Sequence, residues 1–357
     1  MSRKLRTICA VGSTFLLLAS FLLIFIFSWI DGYISTVACV CGLFVGFILA
    51  PIVHETGHVI AACKADMIPI YVKMFCFRFV MKDGKKRFSF ASPFDDDETQ
   101  VLPKSSGNMQ QRAMQYTLGG LVMGGLCLVA VLIAAILCML FGRVNYFLLG
   151  MLPYMAYLEV LNMLPVEYGS GKTDLLIYSG LKNGADTERV MISAMEIQGQ
   201  LYEGKSFLEI DEALYFKLPQ LCEDEPLFAI MLDLRYRYYL EKNDVENAAD
   251  SLNRLVNAQA YLPKLEMTKI ATELVYMHSI TDNAELAQES SEFCKEYLRG
   301  ETVDAKRALA AFSALNGDKE AVTILLGQAR RILQAEPMKG VQKSEEILLS
   351  RIERSME

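Results

Sequence analysis

The feature that most constrains this chain is a series of apolar runs long enough to cross a bilayer, one of which carries two histidines and a glutamate near its end. Residues 8–30 contain no charged side chain, and about 20 apolar residues suffice to span the hydrocarbon core. Arg3, Lys4 and Arg6 precede that run, as they would in a signal peptide. The run exceeds the apolar core of a signal and shows no small-residue cleavage site, so it reads as a retained span. A second run extends from Ile34 through the segment HETGH to Ala62. A third covers roughly 113–141 and contains LGGLVMGG at 118–125, small residues that let helices approach closely. A fourth covers about 145–165 and ends at Asn162-Met163-Leu164-Pro165. Lys and Arg crowd the 64–112 connection and the N-terminal stub and are scarce in the turns at 31–33 and 142–145. Because short cytoplasmic segments hold the excess of Lys and Arg, both termini and the long connection are expected in the cytoplasm. The expectation is a mainly α, multi-pass protein of the cell membrane with about four transmembrane helices in the lipid bilayer.

His54-Glu55-Thr56-Gly57-His58 has the HExxH form. On a helix, residues four apart share a face, so both imidazoles can reach one ion. The ion expected is Zn2+, with Glu55 beside it as the base that takes a proton from an activated water. The bland alternative is a chance match in an ordinary helix. Two of the chain's three histidines lie in this segment, and ionisable groups in a membrane span are costly and usually functional. Catalytic zinc takes three protein ligands as a rule, so one is still to be found. Glu159, Glu167 and Asp174, in or after the fourth run, are the candidates. Glu159 lies inside the span, whereas Asp174 lies beyond the proline break at the cytoplasmic end, where HETGH also lies; depth therefore favours Asp174.

A membrane HExxH followed two spans later by Asn-x-x-Pro and then Asp resembles the site-2 protease family of intramembrane metalloproteases. The resemblance covers roughly residues 34–180. It implies that His54, His58 and Asp174 hold the metal, that Glu55 activates water, and that Asn162 positions the substrate or the developing oxyanion. It also implies that the loop after the first core span resembles the family's membrane-associated β loop, which holds substrate in extended form by strand addition. The chain departs from the family pattern in three places. Asn162 and Asp174 are further apart than usual, with GSGK at 169–172 between them. Leu175 stands where Gly commonly follows the Asp. The middle core span has Gly119-Gly120-Leu121-Val122-Met123 in place of Gly-Pro-x-x-Asn, which implies a different way of clamping substrate; the bland reading of this glycine segment is close helix packing.

In the long connection, IPIYVKMFCFRFVM and KRFSFAS are β-prone runs flanking Lys82-Asp83-Gly84-Lys85, which marks a β-hairpin loop at 68–101. The acidic stretch Asp95 to Glu98 reads as a solvated loop. From 181 onward apolar residues recur at three- and four-residue spacing. LRYRYYLEKNDVENAADSLNRLV reads as helix, polar turn at Lys242-Asn243-Asp244, helix, with Ala248 and Ala249 as packing residues. Further pairs are expected at 264–299 and 302–334, giving an α-helical domain that resembles tetratricopeptide repeats. The divisions expected are thus 1–33, an N-terminal transmembrane helix; 34–180, a three-helix core; and 181–357, a cytoplasmic helical domain.

Residues 181–357 carry a strong acidic excess, and the whole chain sums to −7. With no basic stripe, nucleic acid is not expected as a partner. The nine cysteines lie mostly in apolar runs without a CxxC pair and read as small core residues. The expected function is zinc-dependent cleavage of a membrane-embedded or membrane-delivered peptide, with a protein partner for the helical domain. Two alternatives are an inactive membrane scaffold whose helical domain recruits a protein and a zinc-dependent transporter accessory. The intact Glu55 argues against the scaffold, and spans without buried charges beyond the candidate site residues give the transporter little support.

Overall fold

The computed structural model describes residues 3–82, 85–168, 171–257 and 264–356. It divides into two compact units, Met1–Leu102 with Asn108–Glu188, and Pro103–Gly107 with Arg189–Glu357. The division expected at 180/181 falls inside a helix, Asp174–Asn183.

The first unit holds α1 (Arg3–Asp31), α2 (Tyr33–Lys64), α3 (Met109–Leu140), α4 (Tyr146–Met163) and α5 (Asp174–Asn183). Among the described residues, three helices are long and apolar enough to cross a membrane: Val11–Asp31, Tyr33–Lys64 and Met109–Leu140. Their outward side chains, among them Phe15, Trp29, Phe44, Leu126 and Ile133, are exposed. A continuous apolar surface of this kind is unusual in a water-soluble monomer. The fourth expected span, α4, is not among the three. It is 18 residues long, and Glu159, Asn162 and Pro153 reduce its apolar character.

Helix α2 is the centre of this unit and packs on α1, α3 and α4. Glycines set the spacing. A Cβ on Gly46 would stand 2.7 Å from the Met151 carbonyl oxygen of α4, and one on Gly57 would overlap the Gly119 carbonyl of α3. Close backbone contact replaces the side-chain interdigitation that larger residues would impose. Pro51 lies inside α2 and removes one donor from the helix ladder one turn before His54.

Between α2 and α3 the chain forms a four-stranded sheet of order β3-β2-β1-β4: β1 (Met67–Met74), β2 (Phe77–Lys82), β3 (Lys85–Phe90) and β4 (Glu98–Pro103). The run expected as one strand over 68–81 is two antiparallel strands, paired from Tyr71 with Val80 to Met74 with Phe77. Phe75 makes that turn with φ 55. Sequence inspection missed it because no Gly, Asn or Asp marks the position. The β2–β3 hairpin pairs Phe77 with Phe90 through Lys82 with Lys85; its turn, Asp83-Gly84, lies outside the described residues. The stretch read as a solvated acidic loop is irregular over 95–97 with Asp95, Asp96 and Glu98 exposed, and Asp97 is its exception. Asp97 accepts hydrogen bonds from the Phe75 N–H (2.6 Å) and the Lys73 ammonium (3.0 Å), and Glu98 opens β4. Lys73 is itself buried, which is tolerable because its ammonium also donates to the Asp95 carbonyl at 2.6 Å.

The second unit is helical. Beyond α6 (Asp186–Glu203), a 3-10 turn at Phe207–Glu209 and α7 (Ala213–Phe216) come α8 (Pro226–Lys242), α9 (Val245–Asn257), α10 (Lys264–Ile280), α11 (Ala284–Phe293), α12 (Lys295–Leu298), α13 (Val303–Leu315), α14 (Lys319–Leu333) and α15 (Lys339–Ser355). Helices α8 and α9, α10 and α11, and α13 and α14 pack as consecutive pairs. Each pair is joined by a turn with one left-handed residue: Asn243, Asp282 and Gly317. Asn243 lies in the turn expected at 242–244, and Ala248 is fully buried. All nine cysteines are free.

Candidate metal centre

Helix α2 presents His54, Glu55 and His58 inward, and all three are buried. Their counterpart arrives from a distant part of the chain. After α4 ends at Met163, β5 (Glu167–Tyr168) and β6 (Gly171–Lys172) pair as a small antiparallel ladder. Thr173 closes it: its N–H donates to the Val166 carbonyl at 3.1 Å, and its hydroxyl donates to the Leu164 carbonyl at 2.5 Å. The long spacing between Asn162 and Asp174 is therefore absorbed by a hairpin that returns the chain, and α5 begins on Asp174 beside the histidines. Residues 169–170 of the GSGK segment lie outside the described residues.

Three donor atoms converge. Asp174 Oδ2 is 3.1 Å from His54 Nε2 and 3.2 Å from His58 Nε2, and the two Nε2 atoms are 3.3 Å apart. Ligands about 2.0–2.1 Å from a tetrahedral ion stand about 3.3 Å from one another. His54, His58 and Asp174 thus fit three corners of a zinc tetrahedron and could hold a metal ion. The donor chemistry agrees. Because a carbonyl only accepts, the His58 Nδ1–H donates to the Tyr116 carbonyl at 3.0 Å, which leaves Nε2 with its lone pair facing the other two donors. Asp174 Oδ2 is buried without a hydrogen-bond partner. Burial alone would raise the Asp174 carboxyl; imidazoles that carry a proton on Nε2 would hold it down.

The other carboxylates occupy different positions. Glu159 Oε1 lies 3.6 Å from His54 Nδ1, on the far side of that ring from Asp174. Among the described residues, neither His54 Nδ1 nor Glu159 Oε2 has a hydrogen-bond partner. Glu167 is exposed in β5, opposite Lys172. Asn162 lines the same cavity as the histidines, while its amide nitrogen donates to the Leu158 carbonyl of its own helix at 3.2 Å.

The glycine segment of α3 gives these groups room. A Cβ on Gly120 would lie 2.6 Å from His54 Nε2 and closer still to His58 Nε2, and one on Gly124 would overlap the Glu159 carboxylate. The bland reading of LGGLVMGG as close packing is correct for Gly119, which meets Gly57 and Ala61. For Gly120 and Gly124 the close neighbours are the polar groups of the site.

A cavity of about 400 Å³ opens over the cluster. His54, Glu55, His58, Asn162 and Asp174 line it, with Asp95, Asp96 and Lys172 toward the polar side. Sequence reasoning missed Thr99 and Tyr116. Thr99, on β4, donates its hydroxyl proton to Glu55 Oε2 at 2.6 Å, and the Tyr116 hydroxyl donates to the Thr99 carbonyl. The signal available was the β-prone run Thr99-Gln100-Val101-Leu102 after the acidic stretch. Comparisons with protein-family models, curated proteins and solved structures return no match.

Proposed function

We propose that this chain is an intramembrane zinc metallopeptidase, of the kind its sequence resembles in the site-2 protease family, that cleaves a transmembrane or membrane-associated peptide. The observation that carries the reading is the triangle of His54, His58 and Asp174 donor atoms at zinc-like spacing, with Glu55 on the same cavity wall. When bound there, zinc supplies Lewis-acid polarisation of the scissile carbonyl and makes a water acidic enough to lose its proton near neutral pH.

The chain's own residues do the rest. Glu55 takes the proton of the attacking water and delivers it to the leaving amine. The tautomer of His58, fixed through Tyr116, presents Nε2 as a donor. Asn162, at the cavity wall, orients the substrate carbonyl. The polar lining from Asp95, Asp96 and Lys172 lets water reach a site that the bilayer would otherwise keep dry. In this reading α4 is a fourth span, short because it carries the site's polar groups, and both termini are cytoplasmic. The paired helices of the second unit serve a protein or peptide partner.

The test uses the full-length protein in detergent. Wild type is expected to bind about one zinc per chain and to cleave fluorescently labelled casein. Glu55→Gln should keep the zinc and lose at least about a thousandfold in cleavage rate. Absence of zinc, or cleavage that survives the substitution, would refute the reading.

A further inference from the structure

We propose that Thr99 is a positioning residue for Glu55, fixing the carboxylate in the orientation from which it takes a proton. The proposal rests on the metallopeptidase reading and adds to it a residue outside the HExxH segment, on a different element of the fold.

The geometry has three parts. First, Thr99 is only 8% exposed, and its hydroxyl lies 2.6 Å from Glu55 Oε2. The threonine hydroxyl is the donor. The bond is at the short end of the O–H···O range. Second, it engages one oxygen only. Oε1 makes no hydrogen bond among the described residues, so the second oxygen stays available on the cavity side, where Glu55 contributes to the lining. A glutamate held only by its own rotamers would spread over a broad terminal torsion.

Third, Thr99 is itself held on both sides. Two residues earlier, Asp97 ties the start of β4 to the β1–β2 turn through the Phe75 N–H and the Lys73 ammonium. On the other side, the Tyr116 hydroxyl donates to the Thr99 carbonyl, and the Tyr116 carbonyl accepts from His58 Nδ1 at 3.0 Å. The result is a closed circuit. It leaves α2 at Glu55, crosses β4 at Thr99, reaches α3 at Tyr116 and returns to α2 at His58. The base and a metal ligand are therefore referenced to each other through two other elements as well as through the helix that carries both. Satisfied networks of this kind fix geometry more firmly than isolated pairs.

The hydroxyl, and not the shape of the side chain, is what the proposal requires. Valine has nearly the shape of threonine and no proton to donate; serine keeps the proton and loses the methyl. The full-length, zinc-loaded protein would be compared as wild type, Thr99→Val, Thr99→Ser and Glu55→Gln. Three quantities are read: zinc per chain, kcat and KM on labelled casein, and the affinity for benzohydroxamate, a zinc-directed probe whose polar group also meets the base. Thr99→Val is expected to bind zinc as wild type does and to lose about tenfold to a hundredfold in kcat. Its KM should stay within about threefold and its benzohydroxamate affinity should fall about fivefold or more. Thr99→Ser should restore both kcat and affinity to within about threefold of wild type. Should the valine variant not fold, Thr99→Ala also removes the hydroxyl and is expected to follow the same pattern.

Wild-type kcat and hydroxamate affinity in the hydroxyl-free variant would overturn the proposal. So would a serine variant as impaired as the valine one, because the role would then be one of shape. A wild-type protein without zinc, or an active Glu55→Gln, is a different failure, that of the metallopeptidase reading itself.

Discussion

Each unit buries a cluster of ionisable side chains, and the two clusters are balanced in opposite ways. In the helical unit, Arg307 is fully buried and donates to both carboxylate oxygens of Glu273 at 2.6 and 2.7 Å. Its other terminal nitrogen lies 3.3 Å from Glu345, which also meets Arg237 at 3.6 Å. Tyr236 donates to Glu273 at 2.8 Å, and the Tyr276 ring lies under the guanidinium. Two arginines face two glutamates, so the cluster carries its own counter-charge. In the membrane-type unit, Glu55, Glu159 and Asp174 gather around two imidazoles with no lysine or arginine paired to them among the described residues; Lys172, the nearest in sequence, pairs with Glu188 at 2.8 Å. Three carboxylates face two imidazoles there, so acidic groups outnumber basic ones. A buried cluster that supplies its own cations is a structural cross-link. One that lacks them has donor atoms in excess, and in the proposed reading a metal ion would supply the balancing charge.

The contrast can be broken by removing one member from each cluster. Asp174→Ala takes away a converging donor and is expected to weaken zinc binding by at least about a thousandfold, read by competition with a chelator, with little change in the helical unit's stability. Arg307→Ala is expected to leave zinc affinity within about twofold. It should destabilise the helical unit by about 3–5 kcal/mol, because it strands two buried glutamates, with the loss read as faster amide exchange in α10, α13 and α15. Zinc lost equally in both variants, or neither variant affecting its own unit, would mean that the two clusters do not differ in kind.

How far these two clusters could be read from sequence follows from how local their parts are. HETGH was legible because its three residues lie on one face of one helix. Asp174 was reached through its depth and a family resemblance, since nothing local says that a hairpin at 167–172 returns the chain to α2. Thr99 was lost with β4, because four successive acidic residues read as solvent-exposed. The site was thus hidden in the strand that Asp97 anchors. Phe75 shows the same limit: its φ of 55 is uncommon for a bulky residue, and the hydrogen bond from its N–H to Asp97 helps hold it there. The buried Arg307 gave no signal at all, because its partners come from α8, α10 and α15, which only tertiary packing assembles. The helical pairs were readable because their periodicity and polar turns are local. The span count was less so, because Glu159 and Asn162 make α4 less apolar for the same reason that they make it part of the site.

A smaller effect tests whether the glycines of α3 belong to the site or merely to the packing. Gly120→Ala would put a methyl group against both imidazoles, so the donors must spread or α3 must retreat. Zinc affinity is expected to fall about tenfold to a hundredfold. Gly125→Ala, whose Cβ would meet nothing within 4 Å, should leave affinity unchanged. Equal losses at the two positions would assign the whole segment to helix packing.

The smallest expected effect concerns Glu159, the other carboxylate that sequence offered as the third ligand. It lies 3.6 Å from His54 Nδ1, the nitrogen that faces away from Asp174, beyond hydrogen-bond length but close enough for its charge to act on the imidazole. A group that acts through the imidazole should matter less than a direct donor. Glu159→Gln, which keeps an acceptor near Nδ1 but removes the charge, is expected to cost about tenfold in zinc affinity. That is at least a hundredfold less than the loss expected for Asp174→Ala. The reverse ranking in alanine variants, Glu159→Ala losing more zinc than Asp174→Ala, would exchange the two carboxylates' roles. It would also move the centre of the site from the His58 turn of α2 toward the level at which Gly124 makes room for Glu159.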